Sequence, residues 1–137
     1  MSDKQKPAVW SDDFSIGHLG LDGEHRYFIE LVNRLSLILM THAPRQDLID
    51  LLVLLESETE IHFRHEEDVL KLTGYPSVRD HAEAHRKLLD EIIQARLAVE
   101  KRSEIDIKAE AGRIEKLKHL MIEHILSEDK ALCGHLG

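Results

Sequence analysis

Residues 45–74, RQDLIDLLVLLESETEIHFRHEEDVLKLTG, decide the fold. Their stripe Leu48, Leu52, Leu55, Thr59, His62, Glu66, Val69 follows the 3.6-residue period of an α-helix. Pro44, lacking a backbone N–H, breaks whatever helix precedes it. Gly74 stands where a helix ends in left-handed backbone, and Tyr75-Pro76 completes the stop. The pattern predicts a helix over 45–73. Two of its core-facing positions, His62 and Glu66, are polar and one turn apart on one face.

The same period extends on both sides. A first helix is expected with Asp22 as N-cap and the stripe His25, Phe28, Val32, Leu35, Leu39. Before it lies an irregular arm over 1–21, carrying Trp10, Phe14 and Ile16. A third helix, capped by Ser77, carries His81, His85, Leu88, Ile92, Ala95 and Val99, and a polar patch over 101–106 marks the next turn. The last helix carries Ile107, Ile114, Leu117, Met121 and His124 and ends near Ala131. Gly112 weakens it by about 1 kcal/mol relative to Ala. Strand signals are weak, with aromatics at 4%. The expected architecture is all-α: one domain over 1–137, an antiparallel up-down-up-down four-helix bundle over 22–131 behind an irregular N-terminal arm.

Composition narrows the class. Eighteen Lys+Arg stand against 26 Asp+Glu, a net charge of −8 that argues against a nucleic-acid partner. No apolar run approaches the ~20 residues of a membrane span, and no secretory leader is visible. One cysteine, Cys133, permits no intrachain disulfide, so a cytoplasmic protein with an ordinary free thiol is expected. Ten histidines are the anomaly.

Axial level gives that anomaly a meaning. His25 lies about 18 residues before the first turn and His62 about 19 after it, so both sit about 27–28 Å from it. Glu66 and His85 are each about 14–15 Å from the second turn, and His85 and His124 about 29–30 Å from the third. Asp129 falls level with His81. Five histidines and two carboxylates thus share one slab between four helices, which incidental core histidines have little reason to do. Imidazole suits iron, zinc and copper, and carboxylates can bridge two ions. Seven protein ligands exceed what one tetrahedral zinc uses, but they suit two ions if both carboxylates bridge. One ion would then hold three histidines and the other two, leaving one open position.

These features resemble the hemerythrins, specifically the single-domain bacterial hemerythrins. The resemblance rests on Trp10-Ser11-Asp12-Asp13-Phe14-Ser15-Ile16-Gly17, Leu21-Asp22-Gly23-Glu24-His25, His62-Phe63-Arg64-His65-Glu66-Glu67, Gly74-Tyr75-Pro76, His81-x-x-x-His85 and His124-Ile125-Leu126-Ser127-Glu128-Asp129-Lys130. It spans about residues 10–131. The resemblance implies two Fe ions in an oxo- or hydroxo-bridged di-iron centre that binds O2 reversibly, with NO and small anions as other possible ligands. His81, His85 and His124 would hold the saturated iron, His25 and His62 the iron with the open site, and Glu66 and Asp129 would bridge. No catalytic acid or base is implied, so the protein is expected to bind oxygen for storage, delivery or scavenging rather than act as an enzyme. Phe63, Met121 and Ile125 neighbour ligands and are expected to line the O2 pocket. His18, His42, His65, His119 and His135 are left as arm, surface or boundary residues.

Ferritin-like di-iron oxidases use Glu-x-x-His pairs, absent here. Redox activity on NO or peroxide could use the same ligands. Sensing of O2 or NO would require a separate partner protein, and Ile49, Val53 and Leu54, off the core stripe of the second helix, mark a candidate partner or dimer face.

Overall fold

The computed structural model describes residues 8–102 and 106–136. Its helices are α1 (Leu19–Met40), α2 (Arg45–Leu72), α3 (Val78–Glu100) and α4 (Ile107–His124). Beyond α4 the chain makes a π turn over Ile125–Asp129, a 3-10 turn over Lys130–Leu132, and a last short helix, α5 (Cys133–Leu136). Contacts join α1 to α2, α2 to α3, α3 to α4 and α4 back to α1, closing an antiparallel four-helix bundle. No strand occurs among the described residues.

The expected stripes point inward almost residue for residue. Leu35, Leu48, Leu52, Leu55 and Ile92 are fully buried, and Ile114 and Leu117 nearly so. Each such side chain contributes about 1.5–3 kcal/mol relative to exposure. This apolar core fills the half of the bundle nearest the α1–α2 turn. A smaller cluster of Ile16, Leu21, Leu70 and Leu132 closes the opposite end. The polar slab lies between the two.

Several local expectations need correction. Asp22 does not cap α1: the helix begins three residues earlier, and His18 caps it, its Nδ1 accepting from the Leu21 N–H at 3.1 Å. Asp22 is buried inside the first turn, where its carboxylate accepts from the Ser15 hydroxyl (2.6 Å) and the Ile16 N–H (2.9 Å) and so clasps the arm. That arm is only partly irregular, since Asp12–Phe14 form a 3-10 turn and Phe14 packs with Ile29 and Ile125. Ser77 precedes α3 without a capping side-chain bond, whereas Asp106 caps α4 through the Ala109 N–H. The α2 stripe ends on Leu70, fully buried, rather than on half-buried Val69. Ile49 is buried in the core at 8% exposure and Leu54 packs against it, so of the suggested partner face only Val53 stands exposed. The last helix does not run as a regular α-helix to Ala131. Residues 1–7 of the arm, residues 103–105 of the third turn and the Ile107 side chain lie outside the described residues.

Both α1 and α2 end in the same motif. At α2, Gly74 (φ 74°) lets Tyr75 N–H reach Leu70 O (2.9 Å) and Gly74 N–H reach Lys71 O (3.2 Å). At α1, the equivalent left-handed position is occupied by His42 (φ 54°), with Ala43 N–H on Ile38 O at 3.2 Å. A histidine there is sterically less favourable than glycine.

Candidate metal centre

Regular helix places six of the seven slab residues. His25 comes from α1, His62 and Glu66 from successive turns of α2, and His81 and His85 from successive turns of α3. His124 is the last residue of α4. Asp129, five residues on, would point about 140° away from His124 on an ideal α-helix. The π turn inserts the extra residue that returns it to the same face, with Asp129 Oδ1 3.0 Å from His124 Nε2. All seven side chains are buried, none more than 8% exposed.

The two carboxylates organise the imidazoles into two sets. Glu66 Oε1 lies against His81 Nε2 and 3.0 Å from His85 Nε2, while its Oε2 lies 3.3 Å from His25 Nε2 and 3.2 Å from His62 Nε2. Asp129 Oδ1 is 3.0 Å from both His81 and His124, and Oδ2 is 3.1 Å from His25. Each carboxylate therefore turns one oxygen to each set. Ligand atoms of Glu66, His81, His85, His124 and Asp129 fall within 4.8 Å of one another, as do those of His25, His62, Glu66 and Asp129.

Charge follows from this crowding. Burial pushes the Glu66 carboxyl up, but the four surrounding imidazoles outweigh it and hold the group well below its usual range. Asp129 is likewise driven up by burial and by Glu66, and held down by His124, His25 and His81. Burial pulls His25 down, yet Asp129 and Glu66 raise it to about 9. His81 is lowered by burial and raised more strongly by the same carboxylates, to about 10. His62 rises against burial through Glu24 and Glu66.

The donor set fits metal ions. Glu66 Oε2, His124 Nε2 and both Asp129 oxygens are buried with no hydrogen-bond partner. The close nitrogen–oxygen contacts around Asp129 thus lack hydrogen-bond alignment. Nε2 atoms of His25 and His62 face each other at 3.0 Å. Buried polar atoms without partners are costly, and a shared cation satisfies them together. Nitrogen-rich ligands with carboxylates suit iron, zinc or copper.

Supporting groups escaped the reading of the sequence. Glu24 Oε1 holds His62 Nδ1 at 2.6 Å, and Glu67 Oε2 holds His85 Nδ1 at 2.9 Å. Each carboxylate favours the Nδ1–H tautomer and leaves Nε2 a lone pair toward the centre. Both residues adjoin predicted ligands, and adjacency was the available signal. His65 is less of a bystander than its surface position suggests, since its Nδ1 bonds Glu24 Oε2 at 2.7 Å, and its ring stands edge-on to His18. His135 bonds Thr73, remote from the centre.

Of the expected pocket residues, Phe63 stacks on His85 at 3.8 Å between ring centres and also approaches His62 and His124. Met121 belongs to the main core one turn before His124. Ile125 turns instead toward Phe14 and Ile29, between arm and bundle.

Comparison with known proteins accords with this geometry. Residues 20–136 match the family model described as the hemerythrin HHE cation binding domain. The chain is 29% identical to a bacteriohemerythrin of Stenotrophomonas maltophilia, covering 90% of this chain and 77% of that one. A bacteriohemerythrin of Clostridium acetobutylicum is also 29% identical, over 89% of this chain and 95% of its own. Myohemerythrin-1 of Phascolopsis gouldii is 25% identical over 98% of both. A bundle with a buried histidine–carboxylate slab, and a family match running nearly its full length, place this chain in the hemerythrin family.

Proposed function

We propose that this chain reversibly binds O2 at a di-iron centre, with His81, His85 and His124 on one iron, His25 and His62 on the other, and Glu66 and Asp129 bridging. One observation carries the reading: each buried carboxylate offers one oxygen to each of two histidine sets. Five protein donors on one side and four on the other make the two positions unequal. Bound there, two ferrous ions supply the two electrons that reversible O2 binding draws on.

The protein's own part is to orient and to exclude. Glu24 and Glu67 fix the rings of His62 and His85. Phe63 covers His85 face to face, and Phe28 meets His62 edge-on at 4.8 Å, so aromatic carbon packs against both imidazoles. Phe63 and Met121 are assigned to the O2 pocket; both are buried and apolar, which keeps water from the bound ligand, whereas Ile125 packs with Phe14 and Ile29 and is left out of it. No side chain is assigned a catalytic acid or base role, and residues 1–137 are taken to act as one unit. The acidic surface disfavours nucleic acid, and among the described residues no helix is long and apolar enough to cross a membrane. The charge and the free Cys133 fit a cytoplasmic protein.

The test is optical and analytical. The reduced, colourless protein should develop visible charge-transfer bands in air and lose them when O2 is stripped, and metal analysis should find about two irons per chain, as the donor count requires. Steady O2 consumption with a reductant would replace binding by an enzymatic reading, and a single tightly held zinc would sink the di-iron assignment.

A further inference from the structure

A small cavity between α1 and α2 has its floor on the candidate centre. It measures about 160 Å³ and is lined by Glu24, Tyr27, Phe28, Glu58, Ile61, His62 and His65. That is well above the about 10–15 Å³ one water requires. Its rim is open, with Ile61 60% exposed and the His65 side chain 44% exposed. Its floor is His62, 2% exposed, whose Nδ1 edge meets Glu24 while its Nε2 edge faces His25 and Glu66. The cavity and the centre therefore share one ring as their common wall.

Two carboxylates, Glu24 and Glu58, and two imidazoles, His62 and His65, are the ionisable groups of the lining. Glu58 is half-buried, makes no ion pair or hydrogen bond among the described residues, and stands one helical turn from His62. Glu24 lies deeper, bonded to His62 and His65. No lysine or arginine lines the cavity. A second opening, about 350 Å³ between α3 and α4, reaches His124, but there Lys87 and Lys116 stand beside Glu91, Glu123 and Glu128. Carboxylates without a lysine or arginine beside them attract a cation more strongly than carboxylates that have one.

We propose that the α1–α2 cavity is the port through which ferrous ion reaches the centre, with Glu58 as the residue that first captures it. Glu58 holds the hydrated cation at the rim, Glu24 and His65 draw it inward, and His62 receives it on the inner wall. Carboxylate oxygen before imidazole nitrogen suits an ion that arrives hydrated and sheds water stepwise. The inference rests on the di-iron reading above.

The experiment follows anaerobic Fe²⁺ uptake by the metal-free full-length protein, quenched at intervals with a ferrous chelator. Glu58→Gln keeps shape and removes charge; it should slow loading by about threefold or more and weaken its dependence on ionic strength, with the final iron content unchanged. Ile61→Trp, which narrows the rim, should slow loading without that change in salt dependence. Glu91→Gln, at the other opening, should load as the wild type does. Wild-type loading rates in Glu58→Gln, or slowing by Glu91→Gln instead, would overturn the port. So would slower O2 association in Glu58→Gln with iron uptake untouched, which would make the cavity a gas path. Wild-type protein that fails to reach two irons per chain overturns the di-iron reading itself, a result separable from the others because it needs no variant.

Discussion

The two ends of the bundle are built on opposite principles. Around the α1–α2 turn, Leu35, Leu39, Leu48, Leu52, Ile92, Val99 and Ile114 meet from four regular helices, and burial of hydrocarbon holds them. Toward the other end, beneath the small apolar cluster of Ile16, Leu21, Leu70 and Leu132, seven ionisable side chains are buried together, and the backbone around them is irregular: a π turn, a 3-10 turn and a folded arm. That arm is fastened by polar bonds, from Asp22 and from the Lys130 ammonium, which donates to Ser15 O at 2.8 Å. None of the seven candidate ligands belongs to the apolar core, so its packing should hold whatever occupies the centre. The site end depends on its occupant, because its unpartnered oxygens and nitrogens are satisfied only by something that binds them.

The sharpest way to break this contrast is Glu66→Ala. It removes the carboxylate that faces both histidine sets, and stable binding of two irons should be lost. His42→Ala, at the opposite end, should leave iron content unchanged. Equal effects of the two would mean the site end is wrongly mapped.

Next in size is the double variant Glu128→Asp with Asp129→Ala, which moves the carboxylate to four residues after His124, the spacing α2 and α3 use. If packing of Leu132 and the arm enforces the π turn, the relocated group misses the centre and iron binding stays as weak as in Asp129→Ala alone. Recovery of two irons by the double variant would show that the turn relaxes to α-helix and carries no requirement.

Leu52→Ala belongs to the other end. Leu52 is fully buried in the main core, so the change should cost about 2–5 kcal/mol in denaturant unfolding. Iron content and the oxygen-dependent spectrum should be unaffected at temperatures where the variant remains folded. A spectral change would show that the two ends are mechanically coupled.

These cases explain what was legible in the sequence. The bundle was legible because α-helical period and core stripe coincide, from His25 to Leu39 and from His81 to Val99. The seven-residue slab was legible because antiparallel helices convert distance from a turn into height. What escaped was whatever departs from that period. His124 and Asp129 could be listed by spacing, but five residues is a π spacing, and the altered backbone was not foreseen. Asp22 has the composition of an N-cap, yet it is recruited as a clasp for the arm, and His18 caps the helix instead. Glu24 and Glu67 act through other side chains, across helix contacts that spacing on one helix does not describe.

Acidity separates the ends further. In the metal-free protein His25 and His81, raised from 6.5 to about 9 and about 10, stabilise the fold fully below pH 6.5 and lose that contribution as pH rises through their folded values. Glu66 and Asp129, depressed from 4.5 and 3.8, contribute above those values and lose it below. Metal-free stability from the site end should therefore be greatest between pH 4.5 and 6.5 and fall toward pH 10. Iron affinity should run the other way, rising with pH as imidazoles give up protons to bind. Urea midpoints of metal-free and loaded protein across that range check both slopes. Parallel curves would show that the centre's charges do not govern the site end.

The smallest effect lies in the apolar end at His42, the one non-glycine residue of positive φ among the described residues. His42 occupies the left-handed position closing α1 at φ 54°, where α2 uses Gly74 at φ 74°. The backbone bonds are alike at both ends, so the two sites differ mainly in the side chain placed there. His42→Gly relieves the clash between Cβ and backbone but makes the unfolded chain more flexible. Relief should prevail, with a net gain of about 0.5–1 kcal/mol, because a non-glycine residue in this conformation costs about 1–2 kcal/mol. Thermal unfolding should shift upward by about 2–4 °C, with unaltered iron content and spectrum. A fall in stability would mean that the His42 ring makes compensating contacts and that the apolar end, too, relies on a polar side chain.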